Sequence, residues 1–274
     1  MVINMSYNLI LILKAIIYGI VQGITEWLPI SSTGHMIVLD DLLNIEKDLG
    51  KSFFDLFLIV VQFGSALALV NIYFKRLWPF TKDKQENKTR INTLLYIMIG
   101  IFPAGIIGIL FGDIIDTYLY NTLTVSLCLI IYGIIFLIIK EKKNTKINLK
   151  ISIGIGLFQA LALIPGTSRS GICIIGGLLL GLSMVDSTEF SFYLSLPIIS
   201  LASFFKIYEY LKIYTIDLYQ LSFLLIGTIT SYLISIIVIK YLLDYIKNHD
   251  FKVFGLYRIL FGTFLLICYI RGLL

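Results

Sequence analysis

The chain has 274 residues, of which 58% are apolar before its 21 glycines are counted and only 14% are charged. Soluble domains carry about 45–50% apolar residues with glycine included and about 25% charged, so with a mean hydropathy of +0.92 too little polar surface remains to clothe a water-soluble globule of this size. The net charge of +5 comes from Lys and Arg in short polar interruptions, the pattern of leaflet-facing loops rather than of a nucleic-acid footprint.

In chain order, residues 1–17 lack a basic leader region, and Lys14 interrupts what should be an apolar core. The start is therefore expected to belong to the mature fold and not to a cleaved signal. Leu9 to Leu43 is apolar but split near its middle by ISSTGH. Three stretches follow that are long enough to cross a hydrocarbon core, Phe53 to Phe74, Asn92 to Phe111 and Leu123 to Ile139. Ile151 to Leu182 is split again, by PGTSRSG, and three further spans follow at Phe190 to Leu211, Leu218 to Lys240 and Lys252 to Ile270. The predicted fold is an all-α polytopic membrane protein with six transmembrane helices and two re-entrant helix pairs. Non-helical backbone at membrane depth needs protein or a watery cavity to satisfy it, so each split marks an internal cavity. Three single cysteines, Cys128, Cys173 and Cys268, lie in apolar stretches and read as buried thiols.

The two split regions resemble each other. The Gly19, Gln22 segment aligns with Gly156, Gln159 at an offset of 137, and half of 274 is also 137. Each half holds one broken pair and three crossings, and an odd number of crossings inverts the second half. Residues 1–274 thus read as one integral membrane domain built from an inverted repeat of approximately 1–139 and 140–274. Six Lys/Arg between Lys75 and Arg90, and five between Lys140 and Lys150, place those loops in the cytoplasm, whereas Gly112 to Thr122 has two Asp and no base. That puts the first break on the outer side, the second on the cytoplasmic side, and the two breaks face to face.

Gln22 and Glu26 are four apart and share one helix face. Pro29 then ends the helix, and Ser31, Ser32 and Thr33 stand where the next helix begins, where unpaired N–H groups and the dipole attract anions. The second break adds Gly166, Thr167, Ser168 and Ser170 at another helix start, together with Arg169. An Arg at helix centre costs about 2.5–3.5 kcal/mol on insertion scales, so Arg169 should face a cavity and hold an anion, and its fork suits phosphate oxygens. Together these groups make a site for a phosphate with a divalent cation, and the apolar walls suit a lipid tail.

The strings QGITEWLPISSTGHM and PGTSRSG, with EFSFYLSLPI downstream and YRILFG near the C-terminus, closely resemble the undecaprenyl-diphosphate phosphatase family, also known for bacitracin resistance. The resemblance covers essentially the whole chain. It implies a multi-pass enzyme of the bacterial inner membrane that removes the terminal phosphate of undecaprenyl diphosphate on the outer, periplasmic side. It also implies a divalent cation, Mg²⁺ or Ca²⁺, and regeneration of the carrier lipid for wall synthesis. Carried over by position, it places Gln22 and Glu26 in the E/Q-x-x-x-E pair, with metal binding assigned to both, and Glu26, Ser32, His35 and Arg169 among the catalytic residues. Ser31, Thr33, Gly166, Thr167, Ser168 and Ser170 fall at the phosphate-binding helix starts, the hydroxyls as caps more than reactants. Gln22 takes the amide option where many members have Glu, and Cys173 stands where the motif usually has Thr. The partners expected are the lipid substrate and membrane lipid, without nucleic acid; a homodimer is compatible, but the residues do not fix the oligomeric state.

Three attackers on the terminal phosphorus stay open: Ser32 with His35 or Glu26 as base, His35 itself, or metal-activated water. Arg169 also has a structural reading, as a clamp on Glu26. Asp40, Asp41, Glu46 and Asp48 read as a solvated outer loop, Asp186 and Glu189 as helix-start residues, Trp27 as packing, His249 as solvated, and Gly176, Gly177 and Gly181 as close-packing positions. Inverted repeats with broken helices also suit a transporter or flippase of a phosphorylated lipid; the hydroxyl run and Arg169 favour the enzyme.

Overall fold

The computed structural model describes residues 2–141 and 145–273, with side chains from Leu9 onward. Lys142 and Lys143, two bases of the second basic loop, lie outside the described residues. The described chain is helical, without strands: α1 Val2–Thr25, α2 Ser32–Leu43, α3 Ile45–Leu49, α4 Lys51–Leu77, α5 Lys84–Leu119, α6 Thr122–Ile138, α7 Leu149–Ala160, α8 Arg169–Leu179, α9 Met184–Ile213, α10 Leu218–Tyr245 and α11 Lys252–Ile270.

Five helices, α4, α5, α9, α10 and α11, are long and apolar enough to cross a membrane. The sixth expected crossing is α6, whose 17 residues rise about 26 Å at about 1.5 Å each, a little less than a hydrocarbon core of about 30 Å. Both expected breaks are present. Residues 26–31 separate α1 from α2, and residues 161–168, beginning with a 3₁₀ turn at Leu161–Leu163, separate α7 from α8. At 12, 12 and 11 residues, α2, α7 and α8 are too short to cross by themselves. The short α3, which the sequence pattern did not indicate, follows Asn44 in the left-handed region.

The helices pack in a paired pattern. α1 lies on α10 and α7 on α5, α6 pairs with α11, and α4 packs on both α9 and α10. Small residues set these approaches: a Cβ at Gly19 would meet the Gly227 carbonyl at 2.6 Å, and one at Gly156 would meet the Gly100 carbonyl at 2.3 Å. Close backbone contact of this kind is how helices associate where lipid removes the hydrophobic drive. Trp27, fully buried, packs edge-on to Phe192 with centroids 5.0 Å apart, as expected for a packing residue. Outside, large apolar side chains stand exposed along α5, α9, α10 and α11, up to 87% at Ile109, a surface suited to lipid and not to water.

The basic loops share one end of the molecule. Arg76 pairs with Glu189 at 2.7 Å, Met184 N–H donates to Glu141 Oε1 at 2.8 Å, and Thr145 Oγ1 donates to the Leu180 carbonyl at 3.0 Å. Glu189 thus ties α9 to α4, also accepting from Tyr73 Oη at 3.2 Å; it is not simply a helix-start charge. Asp186 does sit in the first turn, its N–H bonded to the Ser183 N-cap. Gly181 serves a turn at φ 93°, while Gly176 and Gly177 face Phe158 and Ser187 closely. At the opposite end lie α3, the start of α4 and the α5–α6 turn.

Candidate functional site

Each break ends on a serine at the N-cap position of the following helix, in a backbone conformation L-residues avoid. Ser31 has φ 72°, ψ 100° and Ser168 has φ 70°, ψ 114°, and the two lie 137 residues apart. Non-glycine residues at positive φ carry strain of about 1–3 kcal/mol and persist only where the surroundings hold them. Ser168 accepts from Gly171 N–H at 3.3 Å, whereas Ser31 makes no side-chain cap bond.

The α1 hydrogen-bonding pattern runs on to Glu26, whose N–H donates to the Gln22 carbonyl at 3.0 Å. This keeps Gln22 and Glu26 on one face, and Gln22 Nε2 donates to Glu26 Oε2 at 2.9 Å. From α8, Arg169 Nη2 reaches Glu26 Oε1 at 2.7 Å, with only 3% of the Glu26 and 14% of the Arg169 side chain exposed. The opposing breaks therefore meet through an ion pair. Two charges this buried require each other, since removing either strands the other. Arg169 Nη1 also donates to the Ser191 carbonyl at 3.3 Å, but its Nε has no partner. A buried guanidinium N–H left over is a donor for an incoming anion.

Beside this pair opens a cavity of about 620 Å³, lined by Gln22, Gln62, Ser32 and Thr33 and by the more exposed Lys51, Asp116 and Tyr120. Gln62 of α4 donates from Nε2 to Glu26 Oε2 at 3.0 Å. Nothing in the sequence distinguished this glutamine, 36 residues away in an ordinary apolar helix.

The predicted residues divide accordingly. Gln22, Ser32 and Thr33 face the cavity, with Glu26 and Arg169 directly bonded behind Gln22 and Gln62. Ser31, Thr167 and Ser170 are enclosed, and Ser168 is half-buried with Oγ 3.3 Å from Ser170 Oγ. Gly166, at φ 89°, turns the second break where a Cβ would strike Val125 backbone. His35 turns away from Ser32 toward α11. Its Nδ1 lies 2.7 Å from the Ser31 carbonyl and its Nε2 lies 2.6 Å from Tyr257 Oη. Its ring stacks on Phe261 at 4.3 Å. Cys173 is fully buried with Sγ 3.5 Å from Gln159 Oε1, as a small filler would be.

Arg258 of α11 was not singled out from the sequence. It is fully buried and donates to the Pro29 carbonyl at 3.1 Å and to the Gly166 and Thr167 carbonyls at 3.0 Å each. One guanidinium thereby satisfies backbone acceptors freed by both breaks, the role irregular backbone in a membrane demands. The argument applied to Arg169, that a cation inside an apolar helix must face a built partner, would have found it.

Among the described residues no group of three or more His, Cys, Asp or Glu is placed to hold a metal. The acidic residues expected in a solvated loop lie in helices, Asp40 and Asp41 at the end of α2 and Glu46 and Asp48 in α3, and are engaged there: Asp40 accepts from Tyr18 Oη at 3.2 Å and Asp48 pairs with Lys14 at 2.6 Å. Glu26 with the amide oxygens of Gln22 and Gln62 offers hard oxygen donors of the kind Mg²⁺ or Ca²⁺ takes. The set fits such an ion if the remaining positions fall to phosphate oxygens and water.

A profile of the family described as Bacitracin resistance protein BacA matches residues 15–264. The chain is 45% identical over 266 residues to a protein named undecaprenyl-diphosphatase from Enterococcus faecalis, spanning 92% of this chain and 95% of that one. It is 45% identical over 271 residues to undecaprenyl-diphosphatase 1 of Clostridioides difficile, at 95% and 97% coverage. A third relative, the undecaprenyl-diphosphatase of Streptococcus mutans, is 43% identical over 267 residues, at 93% and 95% coverage.

Proposed function

Because this chain belongs to the bacitracin resistance protein BacA family, we propose that it is a membrane phosphatase that hydrolyses undecaprenyl diphosphate to undecaprenyl phosphate and inorganic phosphate. The reaction recycles the lipid carrier of cell-wall synthesis and opposes bacitracin. The observation that carries this reading within the molecule is the buried Arg169, with a free Nε–H, meeting Glu26 beside a cavity lined by Ser32 and Thr33 at the start of α2.

Arg169 exchanges Glu26 for the terminal phosphate, and the unpaired N–H groups at the start of α2 add fixed dipoles aimed at developing negative charge. Glu26 and the amide oxygens of Gln22 and Gln62 are the groups that would hold a divalent cation, which when bound would further neutralise that charge. Ser32 is the attacker best supported, since it lines the cavity while both nitrogens of His35 are engaged elsewhere. Its Oγ forms a bond to the terminal phosphorus as the bridging P–O bond breaks, and undecaprenyl phosphate leaves. The hydroxyl proton passes to Glu26, free to accept it once Arg169 has turned to phosphate. Water then hydrolyses the phosphoserine.

The paired packing of α1 on α10 and α7 on α5, and the matched serines 31 and 168, support an inverted repeat with two re-entrant pairs. With the basic loops at one end, positive-inside logic puts them in the cytoplasm of a bacterial inner membrane and opens the Ser32 cavity to the outer side. The test uses purified protein in detergent with a soluble prenyl diphosphate and a divalent cation. Phosphate release is expected and should disappear in Arg169→Ala and Ser32→Ala; binding without release would sink the enzyme and leave a lipid carrier.

A further inference from the structure

The two bonds of His35 define its protonation. The Ser31 carbonyl can only accept, so the nitrogen 2.7 Å from it, Nδ1, must carry hydrogen. A neutral imidazole has one N–H, which leaves Nε2 as a bare lone pair, and the group 2.6 Å from it is the Tyr257 hydroxyl, free to donate. The ring has little freedom to turn: it lies within 3° of parallel to the Tyr257 ring and is stacked on Phe261. Tyr257 and Phe261 are four apart on α11, so one helix face supplies both. The carbonyl that His35 holds belongs to the strained residue at φ 72° that directly precedes Ser32.

We propose that Tyr257 is a positioning residue of the phosphatase reaction. By donating to Nε2 it locks His35 as the Nδ1–H tautomer, and that tautomer pins the Ser31 carbonyl and fixes the backbone from which Ser32 and the α2 N–H groups face the phosphate. The next residue, Arg258, grips the Pro29 carbonyl two positions before Ser31, so two consecutive α11 side chains hold the first break from one direction. His35 is then a brace whose loss disturbs geometry, and Tyr257 acts through it without touching substrate.

The inference rests on the phosphatase reading for its kinetic half only, and the test keeps the halves apart. The chain has two histidines, and His249, exposed in the loop before α11, lies outside the site, so a His249→Gln background leaves one imidazole to observe. Full-length protein labelled with ¹⁵N-histidine, in lipid nanodiscs at pH 8, should show a protonated Nδ1 and an unprotonated Nε2. Tyr257→Phe, which keeps the ring and removes only the hydroxyl, should shift the resonance of the bare Nε2, whose donor is lost, and leave the Nδ1–H tautomer held by the Ser31 carbonyl alone. It should also lower kcat about tenfold, the value of roughly one hydrogen bond, with KM changed less than about twofold, because the groups it positions through His35 act in the transition state. A parent spectrum already of the Nε2–H form or of imidazolium overturns the proposal, as does an unchanged spectrum in Tyr257→Phe. A changed spectrum with unchanged kcat overturns the positioning role. Absence of phosphate release from the parent refutes the enzyme reading and with it the kinetic half, while the spectra still decide the brace.

Discussion

Arg169 and Glu26 could bind phosphate, or merely bolt two breaks together, and the geometry separates these roles by what each predicts. The pair is buried and direct, so Arg169→Ala strands a carboxylate and should cost about 3–5 kcal/mol in unfolding free energy, whereas replacing both partners with uncharged groups is often nearly neutral. The double variant Glu26→Gln, Arg169→Met is therefore expected to recover most of the thermal stability lost in Arg169→Ala while releasing no phosphate. Recovery of both would mean a bolt and nothing more. Residues that interrupt apolar runs with charge or hydroxyl were legible from sequence because lipid makes such interruptions costly. Gln62 was not: a neutral amide in a long helix carries little penalty, and only the fold shows that it shares Glu26 with Gln22.

At the scale of elements, the breaks were legible as Pro, Gly and Ser clusters inside apolar runs, and the paired helices α1, α2 and α7, α8 follow them. The identity of what holds the breaks was less legible, because the holding groups come from α11, remote in sequence. Three stability effects follow. Ser31 has positive φ and no side-chain cap bond, so Ser31→Gly should relieve strain and raise stability by about 1 kcal/mol. Ser168 does cap, and Ser168→Ala should lower it by about 1 kcal/mol. Arg258→Lys replaces a fork by a point charge that cannot serve carbonyls from both breaks at once; a loss of at least about 3 kcal/mol is expected. Thermal unfolding of the three variants in one detergent would rank them, and a neutral Arg258→Lys would contradict the shared grip.

For the whole molecule, the expected orientation rests on counts of Lys and Arg and not on packing. The structure adds that the loops bearing them share one end, through Arg76 with Glu189 and Met184 with Glu141. In a cysteine-free background, Lys88→Cys should react with a membrane-impermeant maleimide only after cells are opened, and Tyr118→Cys in intact spheroplasts. The reverse pattern would turn the Ser32 cavity to the wrong leaflet. The crossing count was harder to read, because α6 is at the margin of length and hydropathy alone cannot tell a slightly short span from a buried helix.

The reach of Arg258 also has a consequence in time. It lies 229 residues after Pro29 and 92 after Gly166, whose carbonyls it satisfies. At a synthesis rate of about 5–20 residues per second, Arg258 follows Pro29 by on the order of ten seconds or more. The proposed site thus gains its frame only when α11 docks. A nascent protein still being inserted, or one truncated before that helix, holds Glu26, Ser32 and Arg169 yet has no rigid frame in which to use them. Docking of α11, and not synthesis of the two breaks, is then the step that frames the proposed site.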